Sequence, residues 1–149
     1  MSIYRNFFLG NEPIKNDFLR TIDKGLAIDT TLRELKRFGI SCDDARRPAG
    51  TLSGGERQCV AIARALYFGA KVLILDEPTS ALGIKESAKV LEQISLLKPK
   101  GINVILISHN IEQAFQVGDK FFIFKRGELI GQYDKVGTSA DELRSVLEE

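Results

Sequence analysis

Cysteine is scarce in this sequence. Only Cys42 and Cys59 occur among 149 residues, which excludes a disulfide framework and a multi-cysteine metal site and fits a reducing compartment. Charge of one sign is not in excess: 21 Lys and Arg stand against 20 Asp and Glu, a formal net charge of +1. Without a basic footprint or a Lys/Arg tract, neither nucleic acid nor an anionic membrane surface is an expected partner. Long apolar runs are missing as well. Those present, such as Val104–Ile107, are far shorter than the ~20 residues a membrane-spanning helix needs. No basic segment followed by a long apolar one opens the chain, so no signal peptide is expected. These absences make the cytosol the expected location, with docking on a membrane partner still open.

What is present suits a packed core. Hydrophobic residues make up 44% and charged residues 28%, which excludes wholesale disorder, and the length suggests one domain or part of one. No internal repeat is visible. Residues 1–50 are mixed and loop-rich, with a short amphipathic helix over Thr31–Phe38 closed by Gly39, and Arg46–Gly50 reads as a connector. Beyond residue 50 the pattern is regular. Helices are expected over Glu56–Phe68 (apolar at Cys59, Val60, Ile62, Ala63, Leu66, Tyr67), Ile84–Leu97 (stripe Ala88, Leu91, Ile94, Leu97) and Ile111–Val117. Strands are expected over Lys71–Leu75, Asn103–Ile107 and Lys120–Lys125, the last turning through Arg126-Gly127 into Glu128–Gln132 as a hairpin. Ser139-x-x-Glu142 opens a C-terminal helix. Apolar strands alternating with amphipathic helices imply an α/β fold whose parallel sheet is covered on both faces, with ligands beyond the carboxyl ends of the strands.

Three segments stand at such places. The first strand ends in Asp76-Glu77-Pro78. Side chains alternate along a strand, so one carboxylate can hold a hydrated magnesium ion while the other aims at a water; a solvated acidic turn is the bland alternative. The second strand ends in Ser108-His109, the chain's one histidine. An imidazole donor there could reach a phosphate oxygen, although a lone histidine is more often structural. Leu52-Ser53-Gly54-Gly55-Glu56-Arg57-Gln58 stands at a helix entry. Ser53 with Glu56 is a capping box, and the same two glycines let an anion approach the first-turn N–H groups. Cap and phosphate compete for the Ser53 hydroxyl.

Together these residues resemble a family. LSGGERQ resembles the signature motif of ATP-binding cassette (ABC) ATPases, and Lys71–Pro78 (KVLILDEP) resembles their Walker B strand. Thr79–Gly83 resembles the D-loop and Ile107-Ser108-His109 the switch-histidine segment, while Ser2–Gly10 resembles the opening of the helical subdomain in carbohydrate importers. The resemblance implies a P-loop NTPase-like, mostly parallel sheet with flanking helices. Residues 1–70 would be a partial helical subdomain including the signature and its helix, and residues 71–149 the C-terminal part of the ATPase core. By position, it implies that Asp76 binds Mg2+ through water, Glu77 is the general base and His109 contacts the γ-phosphate of ATP. Ser53, Gly54, Gly55 and Glu56 would face the nucleotide of a partner domain, and Ser80, Ala81, Leu82 and Gly83 would line the interface. Gly83 replaces the aspartate that usually ends the D-loop, which puts that residue's contact in doubt. The implied partners are a membrane permease subunit and a second ATPase domain or another copy of the chain, at the inner face of the cell membrane.

One family element has no counterpart. Phosphate cradling needs G-x-x-x-x-G-K-[ST], and none of the 13 glycines is followed by Lys and then Ser or Thr. By resemblance, Met1 falls near the middle of an ABC ATPase domain, after its adenine-stacking aromatic and glutamine loop. The expectation is an ATPase subunit of a sugar importer that is inactive as this piece alone. The alternative is a non-catalytic module that offers its signature in trans or docks on a permease. A soluble ABC ATPase acting on nucleic acid or ribosomes runs against the charge balance.

Overall fold

The computed structural model describes residues 1–16, 18 and 21–148. Its first helix, α1 (Ile3–Phe8), lies in the segment that reads as loop-rich. Six residues are too few for periodicity to show, but Ile3, Tyr4, Phe7 and Phe8 are all buried. Arg47 and Ala45 carbonyls accept from the Ile3 and Tyr4 N–H groups at 2.9 and 3.0 Å, so the connector satisfies donors that a short helix leaves open. A small antiparallel pair follows, β1 (Ile14–Asn16) with β2 (Thr21–Ile22).

Helix α2 (Lys24–Arg37) begins a full two turns before the expected Thr31. Asp23 caps it, accepting from the Leu26 N–H at 2.9 Å, and Thr30 and Thr31 are buried rather than exposed. At its end the Ile40 N–H reaches the Leu35 carbonyl and the Gly39 N–H reaches Lys36, with Gly39 at φ 66°. That pair of bonds and the left-handed glycine stop the helix. Helix α3 (Gly54–Tyr67) runs as expected, and α1, α2 and α3 enclose Phe7, Ile3, Leu35 and Ile62.

Strand β3 (Val72–Asp76) leads through helix α4 (Ile84–Ser95) to strand β4 (Asn103–Ile107), parallel to β3. The register runs from Val72 opposite Asn103 to Asp76 opposite Ile107. Both strands therefore end at one edge. The buried stripe of α4 is Ser87, Val90, Leu91 and Ile94, continued by Leu97; Ala88, expected inside, is exposed. Likewise Tyr67 on α3 is partly open to solvent.

The expectation of a sheet covered on both faces fails for these residues. Leu73 and Leu75 are buried, whereas Val72, Ile74, Ile105 and Ile107 on the opposite face are exposed. A continuous apolar run fixes that both faces are fit for burial, not that both are covered. Helix α5 (Ile111–Val117), strands β5 (Lys120–Lys125) and β6 (Glu128–Asp134) and helix α6 (Ala140–Glu148) complete the chain. Arg126 and Gly127 join β5 to β6 at φ 51° and 85°, the double positive φ of a tight hairpin. Phe121 and Ile123 pack with Leu143, and Phe115 stacks on Phe121 at 5.4 Å. Phe122 and Phe124, on the other face of the same strand, are exposed.

Candidate functional site

The common edge of β3 and β4 brings Glu77 to His109. Glu77 leaves the strand in a left-handed conformation, φ 46°, uncommon for a residue with a side chain. Three interactions hold it there. Its N–H donates to the Ile107 carbonyl at 2.9 Å, and its own carbonyl accepts from the Ser80 N–H at 3.2 Å and the Ser80 hydroxyl at 3.1 Å. Its carboxylate Oε1 accepts from the His109 N–H at 2.8 Å and lies 2.7 Å from His109 Nδ1. This reversal, rather than the strand's pleat, aims the Glu77 side chain.

The pair has a definite chemistry. An ionised carboxylate only accepts, so against an ionised Glu77 the proton of this contact belongs to Nδ1. Both bonds end on Oε1. Oε2 has no protein donor among the described residues and is free to accept a proton. On the neutral ring Nε2 is then an acceptor; it donates only from the imidazolium.

A recess of about 190 Å³ opens beside them, lined by Glu77, Ser80, Leu82, His109, Asn110 and Gln113 among others. Sequence reasoning gave no site role to Asn110, Gln113 or Thr79, which also line it. Asn110 caps α5, accepting from the Gln113 N–H at 3.0 Å; an Asn ahead of an amphipathic run was the available signal. Thr79 is buried and its hydroxyl donates to Gln113 Oε1 at 2.5 Å, a bond across 34 residues that no local pattern announces. Asp76 stands at the end of β3, exposed, its carboxylate without a hydrogen-bonded or ionic partner among the described residues.

The LSGGERQ segment lies elsewhere. Ser53 Oγ accepts from the Glu56 N–H at 3.3 Å and Glu56 Oε2 accepts from the Ser53 N–H at 2.8 Å, so the cap is formed. Ser53, Gly55 and Glu56 line a separate groove of about 550 Å³ with Cys59, Lys85 and Lys89. Burial pushes the Cys59 thiol above its ordinary pKa, with Lys89 opposing and Glu56 adding to the shift. Gly54 is the link between the two regions: a β-carbon there would come within 2.5 Å of Leu82 Cδ2. Ser80, Ala81 and Gly83 are exposed, and Gly83 starts α4 with its N–H directed at Glu86 Oε2, 3.4 Å away. The structure thus joins Glu77, His109, Ser80 and Leu82 around one recess and leaves Ser53 and Glu56 outside it.

A family model described as ABC transporter matches residues 3–80, just over half of the chain. The chain belongs to the ABC transporter family. Two relatives carry the likeness through the rest. The xylose/arabinose import ATP-binding protein XylG of Sulfolobus acidocaldarius is 39% identical over 147 residues, 99% of this chain and 57% of its own length. The fructose import ATP-binding protein FrcA of Rhizobium meliloti is 41% identical over 132 residues, 85% of this chain and 51% of its own length. The chain thus spans about half the length of these curated relatives. Among solved structures, a nucleotide-free ATP-binding cassette from an ABC transporter superposes with a TM-score of 0.77 at 22% identity, covering 100% of this chain and 60% of that one. The ADP conformation of the cassette MJ1267 gives 0.74 at 23% identity, covering 100% and 59%. These likenesses show the ABC cassette fold.

The donor set present fits a hydrated magnesium ion. No group of three or more His, Cys, Asp or Glu capable of holding a metal occurs among the described residues. Magnesium does not require one: it keeps several waters and is commonly held by one or two carboxylates together with substrate phosphates. Asp76, free at the strand end, suits that role. No helix among the described residues is long and apolar enough to cross a membrane.

Proposed function

We propose that these 149 residues carry the hydrolytic half of the ATP-binding subunit of a sugar importer. The observation that supports this reading is the Glu77–His109 pair, with Oε1 held and Oε2 free at the edge where Asp76 also ends its strand. Glu77 Oε2 would take the proton of the attacking water, and positioned bases of this kind contribute ~10²–10⁴ in rate. His109, anchored through Nδ1, would donate from Nε2 to the terminal phosphate as the imidazolium. A magnesium ion held by Asp76 through water would neutralise phosphate charge. The names of the two relatives support a sugar as the cargo and an importer as the assembly, so a membrane permease and a second cassette are the proposed partners, at the cytoplasmic face of the membrane. Residues 1–70 would be helical-subdomain residues and 71–149 core residues.

A second reading rests on one sequence observation, that no glycine is followed by Lys and Ser or Thr. On that reading the chain acts as a module whose Ser53, Gly54, Gly55 and Glu56 complete another cassette's site in trans, with Ser80–Gly83 at the contact. Its helix entry can do so only when Ser53 exchanges its cap for a ligand oxygen.

One set of assays separates the readings. The chain alone with Mg-ATP is expected to release no phosphate above a Glu77→Gln control. Supplied with the phosphate-loop part of the XylG relative, it should turn over ATP, and Glu77→Gln should lower that rate ~10²–10⁴-fold. Supplied instead with a complete cassette whose signature serine is disabled, a gain that depends on Ser53 but not on Glu77 favours the module. Turnover or tight nucleotide binding by the chain alone overturns both.

A further inference from the structure

The Thr79–Gln113 hydrogen bond ties the first residue of the D-loop-like segment to Gln113, to which the family resemblance gives no role. Thr79 is a buried polar residue, and its hydroxyl meets Gln113 Oε1 at 2.5 Å. Thr79 also accepts, through its carbonyl, the Leu82 N–H at 3.1 Å. Gln113 in turn is fixed by its N–H on Asn110 Oδ1 at 3.0 Å, and Asn110 N–H rests on the Ser108 hydroxyl at 3.1 Å. Two clamps therefore join the loop after β3 to the segment after β4: Glu77 on His109 in the loop, and Thr79 on Gln113 in the first turn of α5. Only Pro78 separates their first members.

We infer that Gln113 is a positioning residue: by holding Thr79 it keeps Glu77 in its left-handed conformation and its carboxylate on His109. The reasoning is geometric. Glu77 sits at φ 46°, a conformation that persists only where its surroundings over-determine it. Its carboxylate bond to His109 is exposed on the histidine side, where solvent competes. Thr79 is buried, so its bond is the protected one of the two. A buried hydroxyl left without a partner is costly, so swinging Thr79 away from Gln113 carries a penalty that opening the exposed His109 contact does not. The consequence is coupling: the 79–83 loop and the His109 segment move as one piece. This role rests on the reading of Glu77 and His109 given above, but its test involves no nucleotide, so a failure here leaves that reading standing and a failure there leaves the clamp standing.

The chain's one histidine makes the test direct. In the full chain, the ring ¹⁵N shifts of His109 report which nitrogen holds the proton. The wild type should show Nδ1–H. Gln113→Leu and Thr79→Val should each lose that signature, whereas Gln113→Glu, which still offers Thr79 an acceptor, should keep it. A variant that lowers stability yet leaves the His109 pattern unchanged overturns the inference. If Gln113→Leu does not fold, amide exchange in the wild type decides: the Leu82 and His109 N–H groups should open with one protection factor, and clearly separate values refute the coupling.

Discussion

Gly55 approaches helix α4 so closely that a β-carbon on it would lie 3.2 Å from Glu86 Cβ and 3.4 Å from the Glu86 carbonyl oxygen. Gly54, its neighbour, would meet only the Cδ2 end of Leu82, at 2.5 Å. The two glycines of one motif therefore have different packing reasons. At Gly55 the obstacle is a β-carbon bonded directly to the helix backbone, which cannot rotate aside. At Gly54 it is the tip of a flexible side chain. Alanine gains about 0.5–1 kcal/mol over glycine in a helix, and overpacking costs about 1–3 kcal/mol. Gly55→Ala should therefore destabilise the chain by about 1 kcal/mol, while Gly54→Ala should be close to neutral and displace Leu82. Denaturant midpoints of the two variants check this, and equal effects would contradict it.

Ser53 has two possible uses, and substitution can separate them. Its hydroxyl caps α3 in the present structure. Loss of such a cap to alanine costs about 1 kcal/mol, but to glycine only a few tenths. Ser53→Ala should lower unfolding stability by about 1 kcal/mol and Ser53→Gly by much less. Both remove the hydroxyl that a phosphate oxygen would use. A trans-complementation assay in which both variants fail equally, although only one is unstable, would assign the loss to the ligand contact rather than to the helix.

Much of this arrangement is legible in the sequence from residue 54 onward. The helix at 54–67, the strands ending at Asp76 and Ile107, and the tight Arg126-Gly127 hairpin follow from apolar period and turn chemistry. The strand ends even locate the Glu77–His109 edge. Three things were not legible. Helix α1 is too short to display a period, and the first turns of α2 hide behind Gly25 and Thr30, residues of modest helix propensity, with the burial of Thr30 and Thr31 decided by tertiary contacts. The left-handed Glu77 reflects carbonyl and histidine partners distant in sequence. The Thr79–Gln113 bond joins a loop and a helix that only the parallel register brings together.

Cys59 gives the chain a predictable alkaline limb. Burial disfavours the thiolate, so the folded-state pKa is raised above the ordinary thiol value of 9.0. Below 9.0 the thiol is neutral in both states and its contribution to stability is intact. As the pH rises through and beyond that value, the unfolded chain loses its proton first. The folded state then binds more protons, so stability falls with pH until the folded pKa is passed. The slope of unfolding free energy against pH above 9.0 should therefore be steeper in the wild type than in Cys59→Ala, whatever their difference at neutral pH. Thiol reagents should modify the partly exposed Cys42 well before the buried Cys59. Parallel slopes for the two proteins, or Cys59 reacting first, would defeat the argument.

The open face of β3 and β4 should govern how the chain associates. Val72, Ile74, Ile105 and Ile107 are 52%, 67%, 52% and 48% exposed and lie on one side of a parallel pair. Contiguous apolar surface of this kind promotes association, and a strand edge adds hydrogen-bonding groups that another chain can pair. Threonine retains the β-branch that strands favour while adding a hydroxyl. Replacing Ile74 and Ile105 by Thr should leave unfolding stability within about 0.5 kcal/mol per site, as for surface substitutions generally. The same pair of changes should shift light scattering from concentration-dependent oligomers toward monomer. Leu75→Ala, on the buried face of the same strand, should do the reverse: it should cost about 2–5 kcal/mol and relieve no association. The contrast separates surface from core. A wild-type chain that scatters as a monomer at every concentration would mean that the face attracts nothing, and the proposal of self-association would go with it.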